Sequence, residues 1–433
     1  MANQITRPVG TEDVTPAQMY KWNTVERVVK QAAASFGFSE LRVPTFESTD
    51  LFCRSVGETT DVVQKEMYTV YGGGQPDPKK PLTLRPEGTA GAIRAMLQNG
   101  LLSEALPQKI FYILSCFRHE RNQKGRLREF HQFGVEMAGS ARPEADAEII
   151  LLAKTVLDTL QLKNIQLNIN SIGCPTCRAK YTEALKAYFS DYREQLCETC
   201  QSRLDRNPMR ILDCKSPEDQ KIAENAPVIL DYLCDDCKAH FDTLQSILKA
   251  MKVEYVINPK IVRGLDYYSK TVFEFVTTDI GSQSTICGGG RYDGLIQQLG
   301  GNPTPALGFG MGLERVIMTM EAQGVEFMQD APCDVYFAPM DDAARPAAMQ
   351  LAMALREAGL RAEFDLIGRP FKSQMKYANN IGAKYLLVLG SNELEAGNGK
   401  LKNMETGKQE DVRLDTPEHF LEDYTAFSCG LSI

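Results

Sequence analysis

The chain has 433 residues, of which 43% are hydrophobic and 24% are charged, and its formal net charge at pH 7 is −8. These values are typical of a globular protein, and the length predicts two or three domains of about 150 residues each. The first residues contain no apolar signal segment, and no apolar run reaches the roughly 18 residues needed to span a bilayer. Composition therefore excludes a membrane protein, and we expect a soluble protein of the cytoplasm.

The charge and the cysteines exclude two further classes. Twelve cysteines would suggest a disulfide scaffold in a short secreted chain, but a chain of this length can build a core without one. Reduced thiols or a metal site are therefore expected. The acidic balance excludes a generally basic nucleic-acid coat, although local basic clusters can still bind RNA. Two clusters occur, with six Lys or Arg against two Glu at 109–129 and five against two acidic residues at 361–384.

The first predicted element is an amphipathic helix over residues 17–36, where apolar positions recur at helical spacing. A strand, ELRVPTF, follows at 40–46. Its Pro44 lacks a backbone donor, which predicts an edge strand or a subunit interface. Residues 72–81 consist of turn-forming residues and predict a surface hairpin tip.

The middle of the chain predicts a second strand pair and an insertion. Two antiparallel strands are expected at 109–120 and 128–139, joined by a polar basic loop, and a helix is expected at 147–160. Residues 170–250 contain seven of the cysteines and several helical segments, which predicts a helical insertion at about 172–250. Strands return at 253–278 and 284–287, and a glycine-rich turn leads to a helix near 311–322.

The last hundred residues alternate strand and helix patterns. The strands are DVYFAPM, RAEFDL and YLLVLG, and the helices between them are AARPAAMQLAMALREAG and SQMKYANNIGA. This βαβαβ order predicts a separate α/β domain over residues 331–433, after a larger domain over 1–330.

Residues 117–136, FRHERNQKGRLREFHQFGVE, alternate charged and aromatic side chains. A single arginine here would be explained by a solvated basic hairpin. At strand spacing, however, residues of one parity share a face. The residues placed together in this way are Arg118, Glu120, Phe130, Gln132 and Glu136. Such a face suits ATP, because arginine offers a planar charged fork to phosphate oxygens and an aromatic ring can stack on a base.

This segment resembles motif 2 of the class II aminoacyl-tRNA synthetases. RVPTFE at 42–47 is similar to motif 1, whose proline lies at the dimer interface, and ALGFGMGLERV at 306–316 is similar to motif 3. The glycines alone would be weak evidence, because close packing of a strand and a helix explains them equally well. Arg315 after the glycines and motif 2 before them make the match specific.

Two further segments point to one amino acid. RGLDYYSKTVFEF at 263–275 and GGGRYDGL at 288–295 resemble signature motifs of the histidyl-tRNA synthetases. The resemblance covers nearly the whole chain. It implies an α+β catalytic domain with an antiparallel sheet flanked by helices, the class II synthetase fold, followed by a C-terminal α/β anticodon-binding domain whose recognisable element is at 368–383.

The resemblance also implies a histidine pocket. Glu87 and Thr89 match groups that hold the α-ammonium, with Gln132 beside them. Glu136 and Tyr268 match groups that bond the imidazole nitrogens, and a neutral imidazole needs one partner for its donor and one for its acceptor. The histidine-binding residues implied are Glu87, Gly88, Thr89, Arg118, Gln132, Glu136, Arg263, Tyr267 and Tyr268. The two tyrosines taken alone could be core residues with satisfied hydroxyls.

The nucleotide site follows from the same resemblance. Arg118 and Arg263 match the arginines that grip the α-phosphate and the carboxylate, and these are the implied catalytic residues. Arg126 and Arg315 match those on the β- and γ-phosphates. The ATP-binding residues implied are Arg118, Glu120, Arg126, Phe130, Gln132 and Arg315.

The implied reaction consumes ATP, with Mg²⁺, to convert L-histidine to histidyl-adenylate, and then transfers histidine to the 3′ end of tRNA(His). The implied partners are therefore tRNA(His), L-histidine, ATP and a second copy of the chain in a homodimer. The alternative is the non-catalytic paralogue that serves as a regulatory subunit of ATP phosphoribosyltransferase. That paralogue tends to lack the four arginines and the C-terminal domain. A sensor of uncharged tRNA would carry fused domains, for which 433 residues leave no room.

The cysteine pairs of the insertion raise a separate possibility, a structural zinc ion. Cys174 and Cys177 are followed after 19 residues by Cys197 and Cys200, a spacing typical of structural zinc sites. Cys234 and Cys237 form a third pair, so that four ligands could be drawn differently. Without a metal, these residues would be small buried apolar side chains in a reducing compartment.

Overall fold

A computed structural model describes residues 5–57, 60–71, 81–121, 123, 125–214, 216–261, 263–281, 285–329 and 332–429 of the chain. The chain forms two compact units, Met1–Met328 and Gln329–Ile433. Most of the hairpin tip expected at 72–81 and the domain boundary expected at 330 and 331 lie outside the described residues. No described helix is long and apolar enough to cross a membrane.

The first unit contains an eight-stranded and a three-stranded sheet. Its strands are β1 (Ser39–Glu40), β2 (Phe46–Ser48), β3 (Thr69–Val70), β4 (Leu82–Leu84), β5 (Gln108–Phe117), β6 (Glu129–Ala138), β7 (Gln166–Ser171), β8 (Val256–Ile257), β9 (Ser269–Val276), β10 (Thr285–Arg291) and β11 (Ala306–Gly312). The large sheet has the order β1-β5-β6-β11-β10-β9-β7-β8, and the small sheet has the order β2-β4-β3. The large sheet is antiparallel except where β1 meets β5 and β7 meets β8.

The helices of this unit cover both faces of the large sheet or belong to the insertion. They are α1 (Pro16–Ser35), α2 (Thr49–Val56), α3 (Thr89–Gln98), α4 (Pro143–Thr159), α5 (Pro175–Ser190), α6 (Glu198–Arg206), α7 (Pro217–Ala223), α8 (Asp235–Ala250), α9 (Leu295–Gln298) and α10 (Leu313–Ala322). Odd-numbered residues of β6, such as Phe133 and Val135, are buried against α1, α4, α8 and α10. Tyr112 of β5 faces the other way and packs in a core that includes α3. The functional side chains lie on this second face.

The long predicted elements are confirmed, with small shifts of their ends. The helix expected at 17–36 is α1, the helix expected at 147–160 is α4, and the two strands flanking the basic loop are β5 and β6. β5 and β6 pair antiparallel over ten residues each, which supports the assignment of one face by residue parity.

The single strand expected at 40–46 is wrong. It is divided between β1, which pairs with β5 at the edge of the large sheet, and β2, which belongs to the small sheet. Pro44 lies between the two strands. The carbonyl oxygens of Val43 and Pro44 accept hydrogen bonds from the Arg85 guanidinium at 2.8 and 3.0 Å, so a side chain replaces the strand ladder where proline interrupts it.

The glycine-rich turn also needs correction. The glycine-rich segments are the paired central strands β10 and β11, and α10 begins directly after β11. A Cβ atom at Gly289 would lie 2.2 Å from the Gly308 carbonyl oxygen. Glycine therefore allows a close backbone approach here. The strands expected within 253–278 are β8 and β9, which are separated by the segment that carries Arg263 and the two adjacent tyrosines.

The insertion is helical in its described residues, as expected, and runs from α5 to α8. It has a small apolar core of its own, which includes Tyr181, Leu185, Phe189, Leu204 and Ile211. Its last helix, α8, packs against α4 and thereby joins the main core.

The second unit is an α/β domain. Its elements are β12 (Cys333–Pro339), α11 (Ala344–Glu357), β13 (Ala362–Phe364), α12 (Phe371–Asn380), β14 (Ala383–Leu389), α13 (Ser391–Ala396), β15 (Asn398–Asn403), β16 (Gln409–Arg413) and α14 (Pro417–Ser428). The sheet order is β13-β12-β14-β15-β16. The first three strands are parallel, which confirms the βαβαβ prediction, and an antiparallel pair that was not predicted extends the sheet.

Candidate active site

A cavity of about 190 Å³, partly open to solvent, lies over β6, β10 and β11. The lining residues are Arg118, Glu120, Gly125, Arg126, Leu127, Phe130, Gln132, Arg263, Thr285, Ile286, Cys287, Gly288, Gly310, Gly312, Glu314 and Arg315. All six residues expected to bind ATP are in this list.

Glycines in the two central strands make room for site side chains. A Cβ atom at Gly288 would lie 2.5 Å from an Arg263 guanidinium nitrogen, and one at Gly310 would lie 2.0 Å from Gln132 Nε2. Both distances are shorter than a van der Waals contact. The Arg263 and Gln132 side chains therefore occupy space next to the sheet that only a glycine leaves open.

Arg118 and Arg126 are fixed by neighbouring backbone and side-chain groups. Arg118 Nε donates to the Pro86 carbonyl oxygen at 2.8 Å, and its guanidinium lies 5.4 Å from the centre of the Phe130 ring. Arg126 Nε lies 2.5 Å from Glu120 Oε2. The basic groups are thus held at defined positions on the cavity wall.

Arg315 reaches the cavity from the first turn of α10. Its Nε donates to the Gly125 carbonyl oxygen at 3.0 Å, and its Nη1 donates to the Thr285 carbonyl oxygen at 2.6 Å. Burial lowers the pKa of Arg315 from its ordinary value, and the nearby Arg126 lowers it further. An anion placed between the two arginines would relieve their repulsion.

Arg263 lies between the cavity and the two adjacent tyrosines. It forms an ion pair and a short hydrogen bond with Glu274 on β9, and its guanidinium lies 5.7 Å from the centre of the Tyr268 ring. The side chain is 19% exposed. A carboxylate on one side and a ring on another limit the rotamers of Arg263, so the guanidinium is preorganised for a ligand.

Glu136 occupies the buried end of the site. It is 0% exposed and accepts hydrogen bonds from the Tyr112 hydroxyl at 2.8 Å and from the Tyr292 hydroxyl. Burial raises the pKa of the Glu136 carboxyl to about 8, although these hydrogen bonds act to lower it. A Cβ atom at Gly308 would lie 2.2 Å from Glu136 Oε2, so a glycine again makes the space.

Glu87 and Thr89 lie close to Glu136, at the start of α3. The Glu87 carboxylate accepts backbone N–H groups of Thr89 and Ala90 at 2.7 and 2.8 Å. Burial raises the pKa of Glu87, while its hydrogen bonds lower it. The Thr89 hydroxyl interacts with both Glu87 and Glu136. Two buried carboxylates lie near one another here, which favours a cationic or hydrogen-bond-donating ligand.

Comparisons with known proteins identify the family. The family described as histidyl-tRNA synthetase matches residues 10–316, and the family described as an anticodon binding domain matches residues 334–424. A curated histidine–tRNA ligase from Acetivibrio thermocellus is 51% identical over 409 residues, which are 94% of this chain and 97% of the relative. This chain belongs to the histidyl-tRNA synthetase family. The resemblance seen in the sequence motifs is confirmed.

Further relatives agree with this family. A histidine–tRNA ligase from Caldanaerobacter subterraneus is 46% identical over 416 residues, covering 96% of this chain and 99% of the relative. The crystal structure of an apo histidyl-tRNA synthetase from Staphylococcus aureus superposes with a TM-score of 0.81 at 34% identity, and the match covers 96% of this chain and 100% of that one. The expected class II fold is confirmed.

The regulatory paralogue is not favoured. The crystal structure of an ATP phosphoribosyltransferase regulatory subunit/histidyl-tRNA synthetase from Bacillus halodurans matches at 20% identity with a TM-score of 0.63. A likeness at that identity shows a shared fold only. The relatives at about half identity are ligases, and the four arginines lie on the wall of one cavity.

The site residues that the sequence predicts lie in two adjoining groups of the structure. The first lines the cavity. The second is buried beyond it and consists of Glu87, Thr89, Glu136, Tyr267 and Tyr268. Gly88 has a packing role, because a Cβ atom there would lie 2.3 Å from the Tyr112 ring.

Of the cysteine groupings that the sequence leaves open, the one that joins the first two pairs is wrong, and the one that includes the third pair is found. The four thiols of Cys174, Cys177, Cys234 and Cys237 lie together, whereas Cys197 and Cys200 lie with Cys214 and Asp219 in a second group. Each group has its ligand atoms within 4.8 Å of one another. Spacing misled here because the chain returns after α7, which brings the third pair next to the first.

Sequence reasoning missed three site residues. Tyr112 and Tyr292 donate to Glu136, and Glu274 pairs with Arg263. Tyr292 and Glu274 lie inside the two segments that resemble histidyl-tRNA synthetase signature motifs, so the sequence contained a signal for both residues. Tyr112 lies on β5, opposite Gly134 in register, and only the strand pairing reveals that its ring packs over glycines.

Proposed function

We propose that the enzyme activates L-histidine with ATP to form histidyl-adenylate and then transfers the histidine to the 3′ end of tRNA(His). The observation that carries this proposal is the continuity of the two groups of site residues. Gln132 lines the arginine-rich cavity, and Glu136 follows it on the same face of β6 at the buried end. A nucleotide in the cavity and a small amino acid beyond it would therefore meet.

The cavity wall suits ATP. Arg126 and Arg315 would bind the β- and γ-phosphates, since both line the cavity and their charges repel each other without an anion between them. Phe130 offers a ring on which the adenine can stack. Arg118 lies beside that ring and would reach the α-phosphate. Arginine is suited to this task because its planar fork binds two phosphate oxygens at once.

The buried group of residues suits histidine. Glu87 carries the charge that would bind the α-ammonium, with Thr89 and Gln132 beside it. Glu136 and Tyr268 would bond the two imidazole nitrogens, one as acceptor and one as donor. An amino acid with an apolar side chain would leave these buried polar groups unpaired, and such sites discriminate strongly.

The chemical step requires positioning more than a protein nucleophile. The histidine carboxylate attacks the α-phosphorus of ATP, the bond to the bridging oxygen breaks, and pyrophosphate leaves. Arg118 and Arg263 would stabilise the negative charge that grows on the α-phosphoryl oxygens. The Glu274 ion pair holds the Arg263 guanidinium in place before the substrates arrive.

Mg²⁺ is part of this proposal. The carboxylates that line the cavity are Glu120 and Glu314, and carboxylate oxygens are ligands that Mg²⁺ prefers, together with substrate phosphates. These two residues would hold the ion, although Glu120 pairs with Arg126 and Glu314 with His131 when no ligand is bound. Bound there, Mg²⁺ would neutralise phosphate charge. The paired cysteines of the insertion are absent from the described cavity lining, so a zinc ion at those cysteines would have a structural role.

The second unit would bind the tRNA anticodon stem. Residues 361–384 keep their basic excess at the surface, where Lys372 and Lys376 are exposed. Exposed Leu366, Ile367 and Phe371 lie beside them. Lysines that contact phosphates together with apolar groups that contact bases are typical of RNA-binding surfaces.

We also propose a cytoplasmic homodimer. Strand β1 is the edge of the large sheet, and Phe46 of β2 is 52% exposed. A second copy could cover both, because edge strands and exposed apolar rings are common at interfaces between identical chains. Light scattering should give twice the chain mass of 48.2 kDa, and an active monomer at micromolar concentration would contradict the proposal.

ATP–pyrophosphate exchange with a panel of amino acids tests the activity. We expect exchange with histidine and none above background with the other amino acids. Exchange with several amino acids would contradict the selective role of Glu136 and Tyr268. Absence of exchange with histidine would instead favour a regulatory protein that has retained the fold.

A further inference from the structure

Three cysteine pairs of the insertion share one local structure. Cys174, Cys197 and Cys234 are the N-cap residues of α5, α6 and α8, and in each pair the second cysteine stands three positions later in the first helical turn. Backbone N–H groups at a helix N-terminus and the helix dipole both favour an anionic thiolate. Each C-x2-C segment therefore presents two sulfur atoms in a position that favours metal binding.

The first cluster consists of Cys174, Cys177, Cys234 and Cys237. The Cys174 and Cys177 sulfurs are 3.5 Å apart, and the Cys174 and Cys234 sulfurs are 4.0 Å apart. A tetrahedral zinc site with Zn–S bonds of about 2.3 Å places its sulfurs about 3.8 Å apart, whereas a disulfide bond is about 2.0 Å long. The observed spacing is that of ligands around an ion.

Backbone geometry supports the first cluster. The Cys234 N–H donates to the Cys177 sulfur at 3.1 Å. Such a bond stabilises a thiolate and orients it, which is the usual role of groups around metal ligands. Cys177 and Cys237 are almost fully buried at 1% and 2% exposure, so the site is closed in the manner of a structural zinc ion.

The second cluster rests on a separate observation. Cys197, Cys200 and Cys214 lie with Asp219, and the Cys197 and Cys214 sulfurs are 3.9 Å apart. Asp219 is 0% exposed, and its Oδ1 accepts the Cys197 N–H at 3.0 Å. Its Oδ2 accepts no hydrogen bond of normal geometry from a described residue. A buried carboxylate oxygen without a donor costs free energy unless an ion or another group satisfies it.

From these two clusters we infer that the insertion binds two structural zinc ions, one through four cysteines and one through three cysteines and Asp219. Zinc accepts tetrahedral sites made of thiolates, alone or with a carboxylate oxygen. An iron–sulfur cluster also uses four thiolates, and the test below separates the two. The inference does not depend on the proposed reaction, because the ligands lie outside the described cavity lining.

The first ion would hold together the two ends of the insertion. Cys174 follows β7 of the large sheet, and Cys234 precedes α8, which packs on α4. One turn beyond Cys174, Arg178 of α5 donates to the Tyr268 carbonyl oxygen at 3.0 Å. The ion would therefore fix the helix that supports a residue of the proposed histidine pocket.

The second ion would stabilise the interior of the insertion. The loop between the two halves of the first cluster has a small apolar core. Cores of this size are marginal, and small domains commonly add a metal to become stable. Cys200, which is 0% exposed, belongs to that core, so the second site and the core would form together.

Metal analysis of full-length, untagged protein tests the inference. We expect two zinc ions per chain, one from each cluster. The Cys234→Ser/Cys237→Ser variant should lose one ion, and the Cys197→Ser/Cys200→Ser variant should lose the other. Cys429→Ser is the matched control, because Cys429 is exposed and belongs to the second unit, and it should keep both ions.

Cobalt exchange on the unaltered chain gives an answer even if the serine variants do not fold. Cobalt bound at the two sites should show the absorption of tetrahedral thiolate complexes, with an intensity corresponding to seven sulfur ligands in total. Chelation of the metal should make the insertion the first site of proteolytic cleavage. Histidine-dependent ATP–pyrophosphate exchange should decline only later.

Five results would overturn the inference, in whole or in part. Zinc below a tenth of an equivalent refutes both sites, as does a zinc content that neither double variant changes. If only the Cys234→Ser/Cys237→Ser variant loses metal, the site at Asp219 is refuted. Visible absorption with stoichiometric iron in the purified protein refutes zinc. Disulfide-linked peptides between cluster cysteines in protein kept under reducing conditions refute metal binding.

Discussion

The active-site cavity and the insertion hold their polar side chains in different ways. In the cavity, the register of β6 against β11 places Gln132 and Glu136, and glycines of β10 and β11 leave room for the larger groups. In the insertion, the thiols come from helix starts around a small apolar core. The difference teaches that paired strands can preorganise a site without a ligand, whereas short helices gain their final arrangement from an ion.

Substitution of Arg263 is expected to have the largest effect on activity, and it tests whether the cavity is preorganised. We expect Arg263→Lys to lower the adenylation rate by a hundredfold to a thousandfold, about 3–4 kcal/mol, because a point charge cannot replace a two-pronged donor in the transition state. KM for ATP and histidine should change little. Single-turnover transfer from preformed adenylate should lose much less, and rapid-quench measurement of both steps separates them.

Arg291 is the matched structural control. It is 0% exposed and forms ion pairs with Asp146 and Asp293. We therefore expect Arg291→Lys to lower the melting temperature, while Arg263→Lys leaves it nearly unchanged. Equal loss of adenylation and transfer in Arg263→Lys, or unfolding of that variant, would show that Arg263 is a structural residue.

Glu136→Gln should weaken histidine selection. With histidine bound, Glu136 would accept the imidazole N–H as a carboxylate. The change removes this charge-assisted acceptor at the buried end of the site, and such a hydrogen bond contributes about 1.5–3 kcal/mol. We expect KM for histidine to rise roughly tenfold to a hundredfold, with KM for ATP nearly unchanged, in steady-state exchange assays. A larger effect on ATP than on histidine would contradict the assignment.

The same variant should change the pH dependence of stability. The folded pKa of Glu136 is raised to about 8, above the unfolded value of about 4.3. Between these values the folded state binds the proton and the unfolded state does not, so stability falls as pH rises. Urea unfolding without ligands from pH 5 to 8 should show the wild type losing stability relative to Glu136→Gln. A constant difference would contradict the raised pKa.

Arg178→Ala tests the connection between the two regions. The change removes the hydrogen bond from α5 to the Tyr268 carbonyl oxygen, which is worth about 1 kcal/mol. We expect KM for histidine to rise about fivefold, while the zinc content stays the same. Lys180→Ala is the control, because Lys180 is exposed on the same helix. An unchanged KM would mean that the insertion does not support the pocket.

The smallest effect on activation is expected from the second unit. Lys372→Ala/Lys376→Ala should raise KM for tRNA a few fold and reduce the dependence of tRNA affinity on salt, because each phosphate contact contributes about 0.7–0.9 to that slope. Pyrophosphate exchange should not change. Lys400→Ala, which removes an exposed lysine paired with Asp411, is the control. Equal loss of exchange and aminoacylation would mean that the cluster supports the catalytic unit.

Sequence alone predicted elements whose pattern is local and long. The helix α1 and the strands β5 and β6 follow from periodicity, and residue parity placed Phe130, Gln132 and Glu136 on one face. Short elements were harder to predict. Pro44 divides one expected strand into two because the Arg85 side chain takes over the carbonyl groups there, and that contact joins residues far apart in the sequence.

The site could be predicted only as far as its residues stand in recognisable segments. The partners of Glu136 and Arg263 depend on which strands are adjacent. In the central order β6-β11-β10-β9, β6 comes before the insertion in the sequence and the other three strands come after it. The prediction of the cysteine grouping from spacing failed for the same reason. Spacing joined the first two pairs, but the return of the chain through α8 places the third pair beside the first.

The two cysteine clusters are nested along the chain, which matters during translation. The second cluster is complete once Asp219 has left the ribosome, while the first still lacks Cys234 and Cys237. At roughly 5–20 residues per second, the remaining 18 residues (237 − 219) take about one to four seconds. The inner cluster can therefore take up its ion before the outer one exists, and the outer ion closes around an insertion that has already folded.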